Sequence, residues 1–506
     1  MRAVAVALVL ALLLLAGCGQ PLDEPAATTG TAPSNPEGPP ANATAPPARP
    51  PAVLGLAAAP AVLVSVAGHR TSEFTVAADP VHPGGLLATA MDWDSGDATV
   101  QCAAYWSADA GGNWTAVPAL PGHAAVREDT DPWVAFDATG RAYLTCSESG
   151  VGMLLGQSAD GGRTWEEARL VPTGGSPIKG AIGAFGAGEL VVCYQQGGAF
   201  QVLHSLDRGG NWTATVFPGM SAGCNGVQRD AAGTTYVLWQ SGGALEADNL
   251  NPAPPGVGIL YSNDGARTWA VVHLQDELGA APANMQSAPQ AAAPSLAISP
   301  VTGAVFVAAQ QYQNAEAAGP FGTESRALSK LWRSTDRGRT FEEVAVPQVV
   351  SAACGTSEQL EAPCNQVHPT LACDALGHLA FQFVLSDGTS LRKQAWVAVS
   401  GDDGATWPQA LMLSETGPDR SYLLPGNAVP TPEGVVQQAR DVAADPAAAQ
   451  SAATARADSL TWPVFHRDGG EYFGIAPVPG GVADLWVEHD ADGRNQILSR
   501  RLSIES

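Results

Sequence analysis

Positive charge is scarce in this sequence. The 506 residues include 25 lysines and arginines against 49 aspartates and glutamates, which gives a formal net charge of −24. Lysine occurs only at Lys179, Lys330 and Lys393. Proteins that bind nucleic acid or an anionic lipid surface through phosphate groups need clustered cations. The composition therefore predicts no nucleic-acid partner.

Metal-binding cysteine patterns are also missing. No CxxC and no zinc-like spacing of cysteine and histidine occurs, and we predict no metal and no cofactor. The chain is instead rich in turn residues, with 56 glycines and 39 prolines. These leave little room for a coiled coil or for several membrane spans, and they favour an all-β repeat architecture.

The N-terminus has the pattern of an export signal. Met1 and Arg2 are followed by an unbroken apolar run from Ala3 to Leu14, and small residues precede Cys18. This pattern is typical of a lipoprotein signal, in which the cysteine is acylated and becomes the new N-terminus. We predict a signal peptide over residues 1–18; an ordinary cleaved signal with an incidental cysteine is the alternative.

The next segment, residues 19–60, has no hydrophobic periodicity. It contains eleven prolines between Pro21 and Pro60, together with much alanine and threonine. Such a composition is typical of a disordered or polyproline-like tether. The folded domain is therefore predicted to span residues 61–506.

An internal repeat organises that domain. Six segments share the pattern S-x-D-x-G-x-[TN]-[WF], with Ala266 in place of the glycine in the fourth copy. Their aspartates are Asp109, Asp160, Asp207, Asp264, Asp336 and Asp402. The pattern resembles the Asp box, or BNR repeat, of the sialidase-like β-propellers. We interpret each copy as a hairpin turn in which the aspartate accepts backbone hydrogen bonds and the aromatic residue packs between sheets.

The spacing of the boxes predicts the number of blades. Successive copies begin about 50–70 residues apart, which is one four-stranded blade each. Three further strands near the C-terminus predict a seventh blade, whose outer strand would come from Ala61 to Val66 and close the ring. Six blades, the count of true sialidases, is the alternative.

Loop lengths and cysteines indicate the functional face and the compartment. The long insertions fall in the 2–3 and 4–1 connections of the blades, which share one face of the disc, and ligands usually bind there. Seven cysteines remain after Cys18, and in an exported chain they predict disulfides. Cys354 and Cys364 lie in one loop and are the first predicted pair. Cys102 with Cys146, and Cys193 with Cys224, are two further plausible pairs that leave Cys373 as a buried thiol.

The resemblance to sialidases implies a tyrosine nucleophile activated by a glutamate, an aspartate acid/base, and three arginines that bind the substrate carboxylate. The C-terminal segment from Tyr472 to Glu488 is similar in spacing to the motif that carries the nucleophile, which places Tyr472 at that position. Asp94 and Asp97 are the candidates for the acid. The candidate ligand-binding arginines are Arg70, Arg127 and Arg420.

Other parts of the sialidase pattern are missing. Arg70 stands about three residues before the position of the first family arginine, and Glu73 lies near that position instead. Blade 4 lacks the family glutamate, and Arg229 is out of register. We therefore expect an envelope-anchored, non-catalytic module that binds a glycan or an extracytoplasmic protein on the loop-rich face. An exo-acting sialidase and an extracytoplasmic assembly factor are the alternatives.

The lipid anchor leads to a first prediction. Cys18→Ala should release the protein from the membrane fraction or leave an uncleaved precursor, because the thiol that accepts the lipid is lost. Metabolic labelling with a palmitate analogue should disappear in the same variant. Unchanged labelling and membrane association would contradict the assignment.

Overall fold

Seven antiparallel sheets form a ring in the computed structural model. The structure describes residues 54–93, 100–118, 120–121, 129–148, 150–175, 177–241, 256–275, 293–314, 325–349, 365–386, 393–414, 473–489 and 495–505. Each sheet has four strand positions, which makes the fold a seven-bladed β-propeller and confirms the predicted fold class.

The strands follow one another in chain order, and in blades 1–6 each sheet is built from the centre outwards. Two strands precede the first blade: β1 (Gly55–Ala58) and β2 (Val62–Leu63). Blades 1–3 consist of β3 (Arg70–Ala78), β4 (Leu86–Trp93), β5 (Val100–Ser107) and β6 (Thr115–Val117); β7 (Asp129–Phe136), β8 (Ala142–Glu148), β9 (Gly152–Ser158) and β10 (Arg169–Leu170); and β11 (Ile178–Phe185), β12 (Glu189–Gln196), β13 (Ala199–Ser205) and β14 (Thr213–Pro218).

The remaining blades repeat this plan. They consist of β15 (Gly223–Arg229), β16 (Thr235–Ser241), β17 (Gly256–Ser262) and β18 (Ala270–Gln275); β19 (Ser295–Ile298), β20 (Val305–Asn314), β21 (Ser325–Ser334) and β22 (Glu342–Val344); β23 (Asn365–Cys373), β24 (Leu379–Ser386), β25 (Lys393–Ser400) and β26 (Gln409–Met412); and, in blade 7, β27 (Gly474–Val478), β28 (Gly481–His489) and β29 (Asn495–Glu505). No helix that could cross a membrane occurs among the described residues.

The ring closes between the two ends of the folded chain. Both β1 and β2 pair antiparallel with β29 and together supply the outer strand of blade 7. The closing strand was expected only from Ala61, but pairing begins at Gly55, and Leu54 is already fully buried. The folded region therefore starts inside the segment predicted as a tether. This start could not be predicted from the sequence, because Gly55–Ala58 has the same small, apolar composition as the predicted tether before it.

The six box turns share one hydrogen-bond network. In each box one carboxylate oxygen accepts from the serine hydroxyl two residues before it and from the backbone N–H four residues after it. The second oxygen accepts from the side chain of that later residue. In the second box these distances are 2.7 Å from Ser158 Oγ, 2.9 Å from Thr164 N and 2.7 Å from Thr164 Oγ1, all to Asp160. The carboxylate thus takes the place of backbone partners that a tight turn cannot supply.

These contacts hold the box carboxylates in the charged form. Hydrogen bonds from the Asn211 side chain and backbone and from Ser205 lower the pKa of Asp207 to about 2. Burial alone would raise the pKa of Asp160, but the hydrogen bonds from Thr164 and Ser158 outweigh it and lower that pKa. Charged acceptors make stronger hydrogen bonds than neutral ones, so the turns are stabilised in this state.

The aromatic residue of each box packs at the boundary with the preceding blade. Trp165 of blade 2 is buried in a cluster with Leu87 and Ala104 of blade 1 and with Leu144 of its own blade. Trp269 has the same place between blades 3 and 4. The turns on this face of the disc therefore also join neighbouring sheets.

Two disulfides cross-link neighbouring blades. Cys102 bonds to Cys146 between blades 1 and 2, and Cys193 bonds to Cys224 between blades 3 and 4. Both pairs agree with the pairings proposed from the sequence, and they indicate an oxidising, extracytoplasmic environment. The first predicted pair, Cys354 and Cys364, lies outside the described residues. Cys373 is a free thiol, half-buried at the end of β23, and burial raises its pKa.

The box network leads to a prediction about stability. Trp165→Ala should lower the free energy of unfolding by about 3–5 kcal/mol, because it empties a buried site between two blades. Asp160→Ala should cost about 1–3 kcal/mol, because turn amides lose their acceptor. Glu167→Ala, an exposed site in the same strand connection, is the control. Denaturant unfolding measures all three, and a fall in melting temperature on adding EDTA would instead indicate a metal at the boxes.

A buried carboxyl group in blade 7 leads to a prediction about pH. Asp484 is fully buried in β28, and neither of its oxygens has a hydrogen-bond partner. Burial raises its pKa well above the ordinary value. Between the unfolded and folded pKa values only the folded state holds the proton, so stability should fall with rising pH by up to about 1.4 kcal/mol per pH unit.

Asp484→Asn removes this titration while keeping the shape of the side chain. The wild type should therefore lose stability relative to the variant as the pH rises from 4 to 8, measured by urea unfolding at each pH. A constant difference over that range would mean that Asp484 has the same pKa in the folded and unfolded chain.

Candidate functional site

A central channel runs along the innermost strands of the ring. Its cavity of about 580 Å³ is lined by segments of all seven blades. Each innermost strand runs from a 4–1 connection towards a 1–2 turn. We name the end of the ring where these strands begin the loop-rich mouth, and the end where they finish the turn-face mouth; the lining residues lie from the middle of the strands to the turn face.

The strands are irregular at the loop-rich mouth. In blades 1–4 and 6 the pairing of the innermost strand with its neighbour shifts by one residue near its start, which is the pattern of a β-bulge. Four bulges contain a non-glycine residue with a left-handed backbone. These are Glu73 (φ 51°), Asp131 (φ 53°), Lys179 (φ 49°) and His368 (φ 54°). Such conformations are costly for residues with a Cβ and concentrate at functional sites.

Contacts between blades join these bulges. The backbone N–H of Lys179 donates to Oδ2 of Asp131 at 3.1 Å, which connects blade 3 to blade 2. The stem of Lys179 packs along blade 4, where a Cβ on Gly223 would lie 2.7 Å from Lys179 Cδ. Glu73 is almost fully buried, whereas Asp131 and Lys179 are half-buried. The acidic residues Glu73 and Asp131 and the basic residue Lys179 therefore lie at the loop-rich mouth, on the innermost strands of blades 1, 2 and 3.

An aromatic stack closes the other side of the mouth. The ring of Phe473 in blade 7 lies parallel to His368 of blade 6, with centroids 4.5 Å apart, and stacks on Phe74 of blade 1 at 5.1 Å. The backbone N–H of His368 donates to Oε1 of Gln310 in blade 5 at 3.4 Å. The stack fixes the positions of three innermost strands relative to one another.

A second carboxylate system lies beside Arg70. Asp92 is buried and accepts from Tyr105 Oη at 2.9 Å, and its other oxygen lies 2.9 Å from His69 Nδ1. Burial, and then the charge of Asp92, raises the pKa of Tyr105 well above its ordinary value. This tyrosine is therefore a neutral hydrogen-bond donor to Asp92.

The turn-face mouth contains a different ion pair. Arg229 ends β15 and donates to both oxygens of Glu189 at 2.7 Å, and His204 Nε2 lies 2.9 Å from the same carboxylate. Hydrogen bonding to Arg229 lowers the pKa of Glu189. Arg229, which was out of register in the sequence, is thus at the opposite end of the channel from the bulges and bound to an internal partner.

Most of the site residues predicted from the sequence lie outside the described residues. This applies to Tyr472, Asp94, Asp97, Arg127, Arg420 and Cys18. Arg70 is described; it begins β3, is half-buried and pairs in register with Trp93. The structure therefore places one of the three candidate arginines at the loop-rich mouth.

The bulge residues were not singled out as a set from the sequence. A signal was nonetheless present, because Glu73, Asp131 and His368 each stand six residues before the aspartate that begins a 1–2 turn, namely Asp79, Asp137 and Asp374. In the described part of the chain no three histidine, cysteine, aspartate or glutamate side chains come together as a metal site would require.

Comparison with known proteins adds little to this geometry. No protein-family model matches the chain, and no curated protein matches it. Among solved structures, a protein of unknown function from Dyadobacter fermentans is 12% identical with a TM-score of 0.46, covering 89% of this chain and 100% of that one. At this low identity and TM-score the likeness carries no argument about what the chain does.

Two enzymes are also similar in structure. A xyloglucanase from Xanthomonas campestris is 14% identical with a TM-score of 0.38, covering 68% of this chain and 54% of that one. A Trypanosoma rangeli sialidase in complex with sialic acid is 13% identical with a TM-score of 0.40, covering 69% and 59%. These likenesses are weaker still, and the propeller fold is established by the strands of this chain.

Proposed function

We propose that this chain is a lipid-anchored envelope protein whose propeller binds a glycan or protein ligand at the loop-rich mouth and does not catalyse a reaction there. The observation that carries the proposal is the set of bulges near the loop-rich ends of four innermost strands, which hold Glu73, Asp131, Lys179 and His368 in left-handed conformations. Each such residue costs on the order of 1–3 kcal/mol. Four of them at one end of the ring are better explained by recognition than by packing.

Among the described residues, the cations near the channel lie apart from one another. A carboxylate clamp needs several guanidinium groups directed at one point, since each bidentate pair fixes the orientation of the substrate. Arg229, the one arginine among the cavity-lining residues, is committed to Glu189 at the turn face. Arg70 and Lys179 lie at the loop-rich mouth, but they belong to blades 1 and 3, which are separated by blade 2.

The path of the chain supports display of this face. Gly55 pairs with Glu505 at the end of β29, so β1 begins on the turn face and runs towards the loop-rich face. A tether from Cys18 would therefore leave the disc on the turn side. The mouth that carries the bulges would then be directed away from the anchor.

The test combines an activity assay with a binding assay. The processed chain from Cys18 onwards is required, because β1 and β2 belong to the fold. It should release no 4-methylumbelliferone from the sialic acid conjugate above a buffer blank. It should bind a member of a glycan array or a peptide library. Lys179→Ala should weaken that binding about tenfold, as expected for loss of one charge-assisted contact.

Arg141→Ala is the matched control, because Arg141 is a cation on the turn face that pairs with Glu166. It should leave ligand binding unchanged. Hydrolysis that is abolished by Tyr472→Phe would support the sialidase alternative instead. Binding that responds to Arg141→Ala but not to Lys179→Ala would place the ligand on the wrong face for this proposal.

A further inference from the structure

The channel contains a space that is separate from the bulges. In blades 1, 2, 3 and 6 the lining of the cavity of about 580 Å³ begins after the bulge residue, at Thr75, Trp133, Ile182 and Thr370. In each of these blades it continues to the last residue of the innermost strand. We name this space the turn-face cavity, because it belongs to the turn-face mouth and not to the end where the bulges lie.

The size and the charges of the turn-face cavity limit what can bind there. Small-molecule sites usually have volumes of about 300–1,000 Å³. Two ionic side chains line the described part of the cavity, and both are bound within the protein. Arg229 donates to both oxygens of Glu189. Asp374 accepts from Leu376 N at 2.9 Å and from His378 N at 2.8 Å. A charged ligand would lose its hydration without gaining an opposite charge, so an uncharged molecule is favoured.

Aromatic side chains form one wall of the cavity. Trp133 and Phe136 of blade 2 and Phe185 of blade 3 line it, and each is half-buried. The indole of Trp133 extends as far as blade 4, where a Cβ on Gly226 would lie 3.9 Å from Trp133 Cζ2. The Arg229 guanidinium covers one face of Phe185, with its Cζ 4.1 Å from the ring centroid. Half-buried rings inside a cavity favour a flat aromatic ligand, because offset and edge contacts add to the burial of apolar area.

A polar wall lies on blades 4 and 5. Gln228 Nε2 donates to the carbonyl oxygen of Leu296 at 2.7 Å, which leaves Gln228 Oε1 without a partner among the described residues. Ser295, the neighbour of Leu296, accepts from Leu371 N at 2.9 Å and keeps its hydroxyl proton for another acceptor. Both Gln228 and Ser295 are half-buried and line the cavity. An acceptor and a donor therefore lie near each other on this wall.

The backbone adds further donors and acceptors. Each innermost strand is at the end of its sheet and pairs on one side only. Its other edge carries N–H and C=O groups that face the channel. Leu371 N and Leu296 O are two such groups, and side chains of the preceding blades bind them. A ligand whose rim carries donors as well as acceptors matches this lining better than a purely apolar molecule.

The turns around the cavity mouth are uncharged at their tips. The 1–2 turns of blades 2, 4 and 6 have the sequences Asp-Ala-Thr-Gly, Asp-Ala-Ala-Gly and Asp-Ala-Leu-Gly, at residues 137–140, 230–233 and 374–377. Their aspartates are buried, whereas the two residues after each aspartate are exposed. An uncharged molecule therefore passes these three turns without meeting an exposed carboxylate, although the net charge of the protein is −24.

We propose that the turn-face cavity binds a small, uncharged, flat heteroaromatic molecule whose rim carries both hydrogen-bond donors and acceptors. The ring of this ligand lies against Trp133, Phe136 and Phe185, and an N–H on its rim donates to Gln228 Oε1. The inference goes beyond the proposed function, because the ligand of that function meets the loop-rich mouth at the other end of the channel.

The experiment compares molecules that share one ring. Indazole is uncharged and has an N–H donor beside an acceptor nitrogen, 1-methylindazole lacks the donor, and indazole-3-carboxylate is charged. Saturation-transfer NMR measures their binding to the processed chain from Cys18 onwards, together with a library of other uncharged heteroaromatic fragments. Indazole or a fragment of its class should bind. Methylation of its donor, or addition of a carboxylate, should weaken binding about tenfold through loss of one hydrogen bond or burial of an unpaired charge.

Gln228→Leu should weaken binding of the donor molecule about tenfold and leave the binding of its methylated analogue unchanged. Gln157→Leu is the matched control, because Gln157 Nε2 makes the same kind of bond, to Arg208 O at 2.8 Å, outside the described cavity lining. It should leave binding unchanged, and thermal unfolding should show that both variants are folded.

Cys373 reports where the ligand lies. It is a free thiol at the end of β23 and lines the cavity. At a ligand concentration of about ten times Kd, its alkylation by N-ethylmaleimide should slow about tenfold, because the occupied cavity excludes the reagent. Mass spectrometry of the peptide that contains Cys373 measures this rate in the wild type, so the readout does not depend on how the Gln228 variant folds.

Three results would overturn the inference. Binding that neither depends on Gln228 nor protects Cys373 would place the ligand elsewhere. Equal binding of the methylated or the charged analogue would contradict the ligand class, and the absence of binding by every uncharged heteroaromatic fragment would contradict the site. Lys179→Ala should not alter fragment binding, so each of these results leaves the proposed function at the loop-rich mouth standing.

Discussion

The propeller depends on a carboxylate that completes the hydrogen bonding of a tight turn. In each box the aspartate accepts hydrogen bonds from the serine before it and from the residue four positions later, which closes the hairpin between the third and fourth strands. The aromatic residue that follows is thereby directed towards the preceding blade. Blades that would otherwise be separate sheets are joined in this way, so the ring and its channel follow from a local turn.

Residues with a left-handed backbone conformation occur on both faces of the disc, but they have different roles there. On the turn face, residues with positive φ such as Ala110 and Arg208 belong to box turns, and their backbone N–H groups donate to the carbonyl oxygens of Gly84 and Gly188 in the 1–2 turns of the same blades. On the loop-rich face, Glu73, Asp131, Lys179 and His368 interrupt strand pairing and place functional groups at an opening. One set stabilises the ring, and the other interrupts the regular pairing where a ligand would bind. The disulfide between Cys193 and Cys224 lies beside the bulges of blades 3 and 4 and supports this less regular end.

Much of the fold was predictable from the sequence, because box turns have a fixed residue pattern and strands have a simple alternation. Seven blades followed from six boxes and three C-terminal strands. The start of the ring at Gly55 did not, because pairing with a strand more than 400 residues away leaves no local pattern. The bulges at Asp131 and Lys179 were missed for a similar reason. A bulge is defined by how a strand pairs with its neighbour, and this register cannot be read from the residue itself. Cys102 and Cys146 could be paired because strand direction alone brings them to the same end of neighbouring blades.

Closure of the ring by β1 and β2 has a consequence for how the protein is made. The partner of these strands, β29, ends at Glu505, so it is synthesised and exported after every other strand in the structure. Without β29 the sheet of blade 7 is incomplete and the ring between blades 6 and 1 cannot close. Apolar faces such as that of Trp486 and Val482 against blade 6 are then incomplete. The interval between the first and the last strand is the period in which this chain most needs protection from aggregation.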